Sequence, residues 1–281
     1  MQGKVCLVTG ATSGIGFAAA RQLASRGATV YLVGRDEEKA RSATQAIIEA
    51  SGNSQVDYFI GDFSSLASIR SLGNAICNAL PVIDVLLNNA GVVNQTRQLS
   101  EDGFEQMFAV NHLGYFLLTN LLLDKIKAAQ AGRIVNVASG AHKFCKTGIN
   151  FDDIHFVEEF SSMKVYGHSK LANILFTQEL ARRLSDCDVT VNCLHPGGVA
   201  SNLGKNNGAL GKLLMGALKP FFRSIDKGAE TAIYLACAED VADKSGGYYY
   251  NCKPIPPAKW ALDTEAASRL WQISSDMVSS P

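Results

Sequence analysis

The sequence carries no excess of charge. Its 26 Lys and Arg balance 26 Asp and Glu over 281 residues, and the pI is about 6.9. That balance argues against the basic footprint of a nucleic-acid binder and against an attraction to anionic lipid. CxxC pairs and metal-like clusters are missing among the seven cysteines, at 6, 77, 145, 187, 193, 237 and 252. Several of these cysteines sit in apolar strand patterns. They read as small core residues in a reducing compartment and predict a cytoplasmic protein. His112, His142, His155, His168 and His195 show no ligand spacing, so no metal is expected. No apolar run is long enough to span a membrane. The longest candidate, near 113–123, is interrupted by Tyr115, Thr119 and Asn120. The first strand pattern begins by Lys4, so neither an export signal nor a transmembrane anchor is expected. Long polar linkers, repeats and low-complexity segments are also lacking, which predicts one domain over 1–281.

What is present is a regular alternation. Hydrophobic residues make up 47% of the chain, enough for a large core. Strand patterns fall at 5–9, 29–33, 56–60, 82–87, 133–138, 189–194 and 247–251. Helical patterns fall at 14–25, 37–50, 66–79, 101–129, 163–185 and 227–238. Continuous apolar strands alternating with helices predict an α/β fold, with a doubly wound parallel sheet covered on both faces. Two longer irregular stretches, about 140–162 and 198–225, fall at the C-terminal edge of that sheet, where such folds bind ligands.

The first strand breaks into Thr9-Gly10-Ala11-Thr12-Ser13-Gly14-Ile15-Gly16 and enters a helix. Gly10 permits the sharp turn, Gly14 lets the backbone approach a pyrophosphate, and Gly16 lets helix pack on strand. The helix N-terminus supplies free N–H groups and partial positive charge for phosphates. A glycine turn can also merely connect strand to helix, but the strand–turn–helix context favours a nucleotide site.

A second constellation opens the helix at 163–185. Tyr166 and Lys170 are four residues apart and share one face. A cationic amine near a phenol lowers the phenol pKa, and such a phenol can exchange a proton with a carbonyl oxygen. Taken alone, the pair reads better as a buried Tyr beside a surface Lys.

The pair is not alone. Asn88-Asn89-Ala90-Gly91 follows an apolar strand, Asn111 lies in a helical stretch, Ser139 ends the strand at 133–138, and Pro196-Gly197 follows the strand at 189–194. With the glycine turn and Tyr166-x-x-x-Lys170, these signatures occur in the order of the short-chain dehydrogenase/reductase family, which the chain resembles over about 4–252. The text from Tyr166 to Thr177, the His195-Pro196-Gly197 turn and the 27-residue interval from Ser139 to Tyr166 further resemble the retinol dehydrogenase-like subgroup.

The resemblance implies a Rossmann-type domain and an NADP(H)-dependent oxidoreductase interconverting a carbonyl and an alcohol on a small lipophilic substrate. It implies Tyr166 as general acid or base, and Lys170 as the group that tunes it and holds the nicotinamide ribose. Ser139 would donate to the substrate oxygen, and Asn111 would order a water toward Lys170. The cofactor would meet Gly10, Thr12, Ser13, Gly14, Ile15, Gly16, Asp62, Phe63, Asn89, Ala90, Gly91, Pro196, Gly197, Val199 and Ser201, besides Tyr166 and Lys170. Asp62 reads nearly as well as a turn or capping residue. The second strand ends in Gly34-Arg35-Asp36, without the acid that an NAD enzyme usually places at the first of these positions. Arg35 suits a 2′-phosphate, and Asp36 reads as an N-cap rather than a displaced ribose ligand. The stretch 198–225 reads as a lid with Leu210, Leu213, Leu214, Met215, Leu218, Phe221 and Phe222. Its alternative is packing or a subunit contact. The two long helical patterns imply a homodimer or homotetramer. An NADP(H)-binding redox sensor without turnover and a pigment reductase remain the competing readings.

Overall fold

In a computed structural model the chain is described over residues 1–199 and 223–279. The strands are β1 (Val5–Thr9), β2 (Thr29–Gly34), β3 (Val56–Ile60), β4 (Val85–Asn88), β5 (Gly132–Val137), β6 (Val189–Leu194), β7 (Tyr248–Tyr250) and β8 (Lys253–Pro254). They form one sheet in the order β3-β2-β1-β4-β5-β6-β7-β8. Every pairing is parallel except β7 with β8. The central strands are apolar throughout because helices cover both of their faces.

One face is covered by α1 (Gly14–Ser25), α2 (Glu37–Ser51) and α7 (Ile225–Cys237), packed through Ala18, Leu23, Ile47 and Ala232. The other is covered by α3 (Leu66–Ala79), α5 (Gly114–Lys127) and α6 (Ser162–Arg183), packed through Ile69, Leu118, Leu171 and Leu175. A further helix, α8 (Thr264–Ser279), lies outside this second layer. Its Trp271 ring meets Phe116 at 4.9 Å and Phe176 at 5.9 Å, so α8 lies across α5 and α6 together. This explains why α6 is buried almost without interruption from Gly167 to Thr177: sheet, α5 and α8 enclose it.

Three elements depart from the sequence expectation. The strand expected at 82–87 begins at Val85, and just before it Ile83 N donates to the Lys125 carbonyl at the end of α5, at 3.0 Å, rather than to a neighbouring strand. The helix expected at 101–129 starts only at α4 (Gln106–Phe108), where Glu105 accepts from Met107 N and Phe108 N. A π-helical turn, Ala109–Leu113, joins α4 to α5. Beyond 251 the sequence reading had no element, yet β8 and α8 follow. Asn251 and Cys252, with φ of 51° and 58°, make the tight turn into β8.

The middle of the sheet carries a buried polar ladder. Asn88 Nδ2 donates to Thr119 Oγ1 at 3.0 Å and to Asn136 Oδ1 at 2.9 Å. Asn136 Nδ2 donates to Thr177 Oγ1 at 2.9 Å, and Thr177 donates to the Asn173 carbonyl at 2.7 Å. The ladder ties α5, β4, β5 and α6 into one body.

Candidate active site

The site forms along the C-terminal ends of β1, β4, β5 and β6. At β1 the backbone turns through Gly10 (φ 64°) and Gly14 (φ 59°), conformations that L side chains rarely adopt. Asn89 staples the turn, donating from Nδ2 to Thr9 O at 2.9 Å and to Gly10 O at 3.2 Å. A Cβ on Gly16 would stand 2.4 Å from that Asn89 nitrogen and 2.5 Å from Gly10 O. Asn89 thus acts through the turn as well as beside it. Thr9 Oγ1 fixes the same loop by accepting from Asn89 N at 2.8 Å and Ala90 N at 3.0 Å. Ser13, the N-cap of α1, makes no side-chain capping bond. The first N–H groups of α1 are therefore not satisfied by their own cap, which suits an anion at this helix end.

The end of β2, where an acid or a 2′-phosphate ligand was expected, is also defined. A Cβ at Gly34 would lie 2.5 Å from Thr12 Cγ2, so the Thr12 methyl fills the place where an acidic side chain would begin. Asp36 is the N-cap of α2, accepting from Lys39 N at 3.0 Å and pairing with Lys39 Nζ at 2.7 Å. Arg35 is exposed and makes no hydrogen bond or ion pair among the described residues. Asp62 Oδ1 accepts from Ser64 N and Ser64 Oγ, and Phe63 packs against Gly114. Asp62 is thus a turn residue with a second oxygen still available.

Ser139, Tyr166, Lys170 and Asn111 converge from three elements. Ser139 caps the turn after β5, its hydroxyl accepting from Ala141 N at 3.1 Å. Tyr166 and Lys170 lie one turn apart on α6. The Lys170 amine is 3% exposed and donates to the Val137 carbonyl at 2.8 Å, while Tyr166 is only part-buried. The pattern read from the pair alone, a buried Tyr and a surface Lys, is thereby reversed. Burial holds the Lys170 amine down to about 7. Burial also pushes the Tyr166 phenol above its ordinary range, and the Ser139 hydroxyl beside it pulls it back. The phenol is raised where the spacing predicted it lowered, and the amine stands 5.8 Å from the Tyr166 ring centroid, bonded to a backbone carbonyl.

Asn111 sits inside the π-helical turn. Its Nδ2 donates to Val92 O and to Ser169 Oγ, both at 3.0 Å, and its Oδ1 accepts from Val92 N at 2.8 Å. A Cβ on Gly91 would meet that Oδ1 at 3.2 Å and Lys170 Nζ at 3.7 Å, so Gly91 keeps a cradle open beside the amine. Gly197 has φ of 83°, and its N–H donates to His195 Nδ1 at 3.0 Å. Val199 and Ile15 meet around Gly228, which joins the turn after β6 to the glycine turn. Ser201 and almost all of the expected lid lie outside the described residues.

The sequence reading passed over two supports. His142 Nδ1 donates to the Ser139 carbonyl at 2.7 Å, and its Nε2 accepts from Ala258 N at 3.1 Å, which fixes one neutral tautomer. The spacing Ser139-x-x-His142 was the available signal. Ser169 holds Asn111 and was legible only as the third residue after Tyr166. Arg182 and Arg183, with side chains 64% and 41% exposed, pair with Glu179, which is 3% exposed, at 2.7 and 2.8 Å. Among the described residues no three His, Cys, Asp or Glu side chains come together as a metal site, and no helix is long and apolar enough to cross a membrane.

Comparison with known proteins gives the same picture from another direction. A family model described as short chain dehydrogenase matches residues 4–209. Retinol dehydrogenase 12 of Mus musculus is 42% identical, over 98% of this chain and 86% of that protein. Among solved structures, an uncharacterised protein from Mycobacterium paratuberculosis superposes with a TM-score of 0.79 at 31% identity, covering 99% of this chain and 94% of the other. A short chain dehydrogenase from Escherichia coli CFT073, complexed with NADPH, superposes at 0.70 and 26% identity, covering 89% and 97%. A glycine turn, a Tyr-Lys helix and a serine strand end could each arise separately. A full-length likeness carrying all three could not, and the chain belongs to the short-chain dehydrogenase family, as an oxidoreductase of its retinol dehydrogenase-like branch.

Proposed function

We propose that the protein is an NADP(H)-dependent oxidoreductase that interconverts a carbonyl and an alcohol on a lipophilic substrate. The observation that carries this reading is the convergence of Ser139, from the end of β5, on the Tyr166 phenol, with the buried Lys170 amine on the same helix. When bound, the cofactor supplies or accepts a hydride at its nicotinamide. In reduction Tyr166 donates its phenolic proton to the substrate oxygen, and in oxidation it takes that proton back. The Ser139 hydroxyl donates to the same oxygen, where charge develops. Lys170 stabilises the phenolate that remains, and Asn111 holds the loop bordering the amine. The glycine turn and α1 N-terminus would hold the pyrophosphate, with Gly91 leaving room beside Lys170.

Three features support NADP(H) rather than NAD(H): Thr12 occupying the space at Gly34, Asp36 turned into its own helix, and Arg35 without a partner among the described residues. The NADPH complex of the similar Escherichia coli structure supports the same choice. A lipophilic substrate is supported by the apolar cluster of Met107, Phe156 and Val165, against which Val92, Val93, Phe160 and Tyr166 pack. A homodimer or homotetramer remains compatible with the fold, through a face other than that of α5 and α6 covered by α8. Light scattering against the 30.1 kDa chain mass checks it.

The test is single-turnover hydride transfer beside NADPH titration. Tyr166→Phe should lower turnover by about 10²–10⁴-fold with NADPH still bound. Lys170→Ala should damage both turnover and cofactor affinity, and Ser139→Ala mainly turnover. Near-normal turnover by Tyr166→Phe would refute the mechanism. Tight NADPH binding with no turnover across aliphatic aldehydes, retinals and steroid ketones would favour a redox sensor.

A further inference from the structure

Lys170 has more hydrogens to donate than the roles above use. An ammonium carries three N–H groups, and one is accounted for by the Val137 carbonyl at 2.8 Å. Two phenol rings stand against the amine. The Tyr166 centroid is 5.8 Å away, and the Tyr115 centroid is closer, at 5.5 Å. Tyr115 is the second residue of α5, follows the π-helical turn directly after Gly114, and is completely buried. Its hydroxyl has no hydrogen-bond partner among the described residues. A buried hydroxyl without a partner costs about 1–3 kcal/mol, and a phenylalanine would fill the same ring volume without that cost. The two phenols also lie within electrostatic reach, since charge on Tyr166 raises Tyr115 further. Asn111 is less free to serve the amine, because both its amide hydrogens and its oxygen are already bonded to Val92 and Ser169.

We propose that Tyr115 is a positioning residue for Lys170. Its ring faces the ammonium, and its hydroxyl oxygen accepts one of the remaining N–H groups through one bridging water, keeping the amine charged and aimed at Tyr166. This rests on the oxidoreductase reading and adds to it a second phenol that never touches substrate. Otherwise burial alone acts on the amine, and it disfavours the charged form. The titratable side chains that face Lys170 among the described residues are Tyr115 from α5 and Tyr166 from its own helix. Removing the Tyr115 hydroxyl therefore removes a partner of the charged form, and the amine must lose its proton at lower pH.

The experiment follows the Lys170 amine in the full chain labelled with 13Cε-lysine, its resonance assigned by its loss in Lys170→Met. Tyr115→Phe should move its titration midpoint down by about half a unit or more, and the pH profile of turnover should move with it. A midpoint that does not move overturns the proposal, and a fall in melting temperature with an unmoved midpoint assigns the hydroxyl to packing instead. A double-mutant cycle on unfolding, combining Tyr115→Phe with Lys170→Met, reads the same contact without any titration. Additive effects overturn the proposal. Neither measurement needs turnover, so a wild type inactive on every carbonyl would sink the oxidoreductase reading separately.

Discussion

Lowering the pH from about 7 to about 5 should strip this protein of several kcal/mol of stability through two imidazoles. His112 and His168 are 0% and 1% exposed, and burial pulls each down to about 3. In the unfolded chain each returns to about 6.5. Between those values the unfolded chain binds protons that the folded one refuses, so stability falls as pH drops through 6.5 toward 3. At about pH 5 the difference is on the order of 2 kcal/mol per imidazole and 4 for both. That is a large share of the 5–15 kcal/mol usual for a folded domain. Protonating His168 also removes the acceptor for Asn150 N, 3.1 Å from its Nε2. His142, His155 and His195 are shifted down by burial too, and they act in the same direction; His155 and His195, being part-exposed, add less. Glu105, raised by burial, opposes them. Asp36, Asp153, Glu179 and Asp243 are lowered, so their contribution is lost only at more acid pH. Urea unfolding at the two pH values, in wild type and in His168→Gln, isolates one imidazole. The amide oxygen of Gln can take the place of the Nε2 acceptor, and it does not titrate. The variant should lose about 2 kcal/mol less than wild type over this interval. An identical pH dependence in the two proteins would refute the reasoning.

Other consequences are as direct. Arg35→Ala should erase most of the preference for NADPH over NADH, costing about 1.5–3 kcal/mol of NADPH affinity, as cofactor titration would read. Equal affinities in the wild type would instead point to Asp36 as a ribose ligand. Gly16→Ala places a methyl 2.4 Å from Asn89 Nδ2 and 2.5 Å from Gly10 O. It should lower the melting temperature, with about 1–3 kcal/mol lost, and weaken NADPH binding in the same variant. Trp271→Ala removes the ring that contacts Phe116 and Phe176 and lies 4.2 Å beneath the Arg183 guanidinium. Denaturant unfolding should show a loss of about 2–4 kcal/mol, and an unchanged midpoint would mean that α8 contributes little to the fold.

The parts of this molecule that the sequence reveals are those governed by short-range rules. The glycine turn at 10–16 is legible because its backbone conformations demand glycine. The interior strands are legible because burial on both faces leaves only apolar choices. The Tyr166-Lys170 helix is legible as spacing, but spacing did not reveal that Lys170 is the more buried of the two. That depends on the Val137 carbonyl, distant in sequence. α8 was missed although Ala267, Leu270, Ser274 and Val278 line its buried face at helical intervals. Its register makes sense only against Phe116 and Phe176. The break before Gln106 was missed because Glu105 looks like one more helix former until its carboxylate is seen capping Met107 and Phe108.

The buried Asn88–Asn136 pair also bears on how the chain finds its fold. The two residues are direct partners in the β4–β5 register, and their side chains bond across it at 2.9 Å. Apolar parallel strands such as these offer nearly equivalent burial in several alignments. A one-residue slip of either strand would turn its amide to the opposite side of the sheet, among Leu87, Val135 and Val137 of the other apolar layer. Each would arrive there without Thr119 or Thr177, and a buried amide stranded in that way costs about 1–3 kcal/mol. The pair therefore penalises misaligned sheets during folding, a role that contributes nothing to chemistry and would show as slower, more heterogeneous refolding when both positions are made valine.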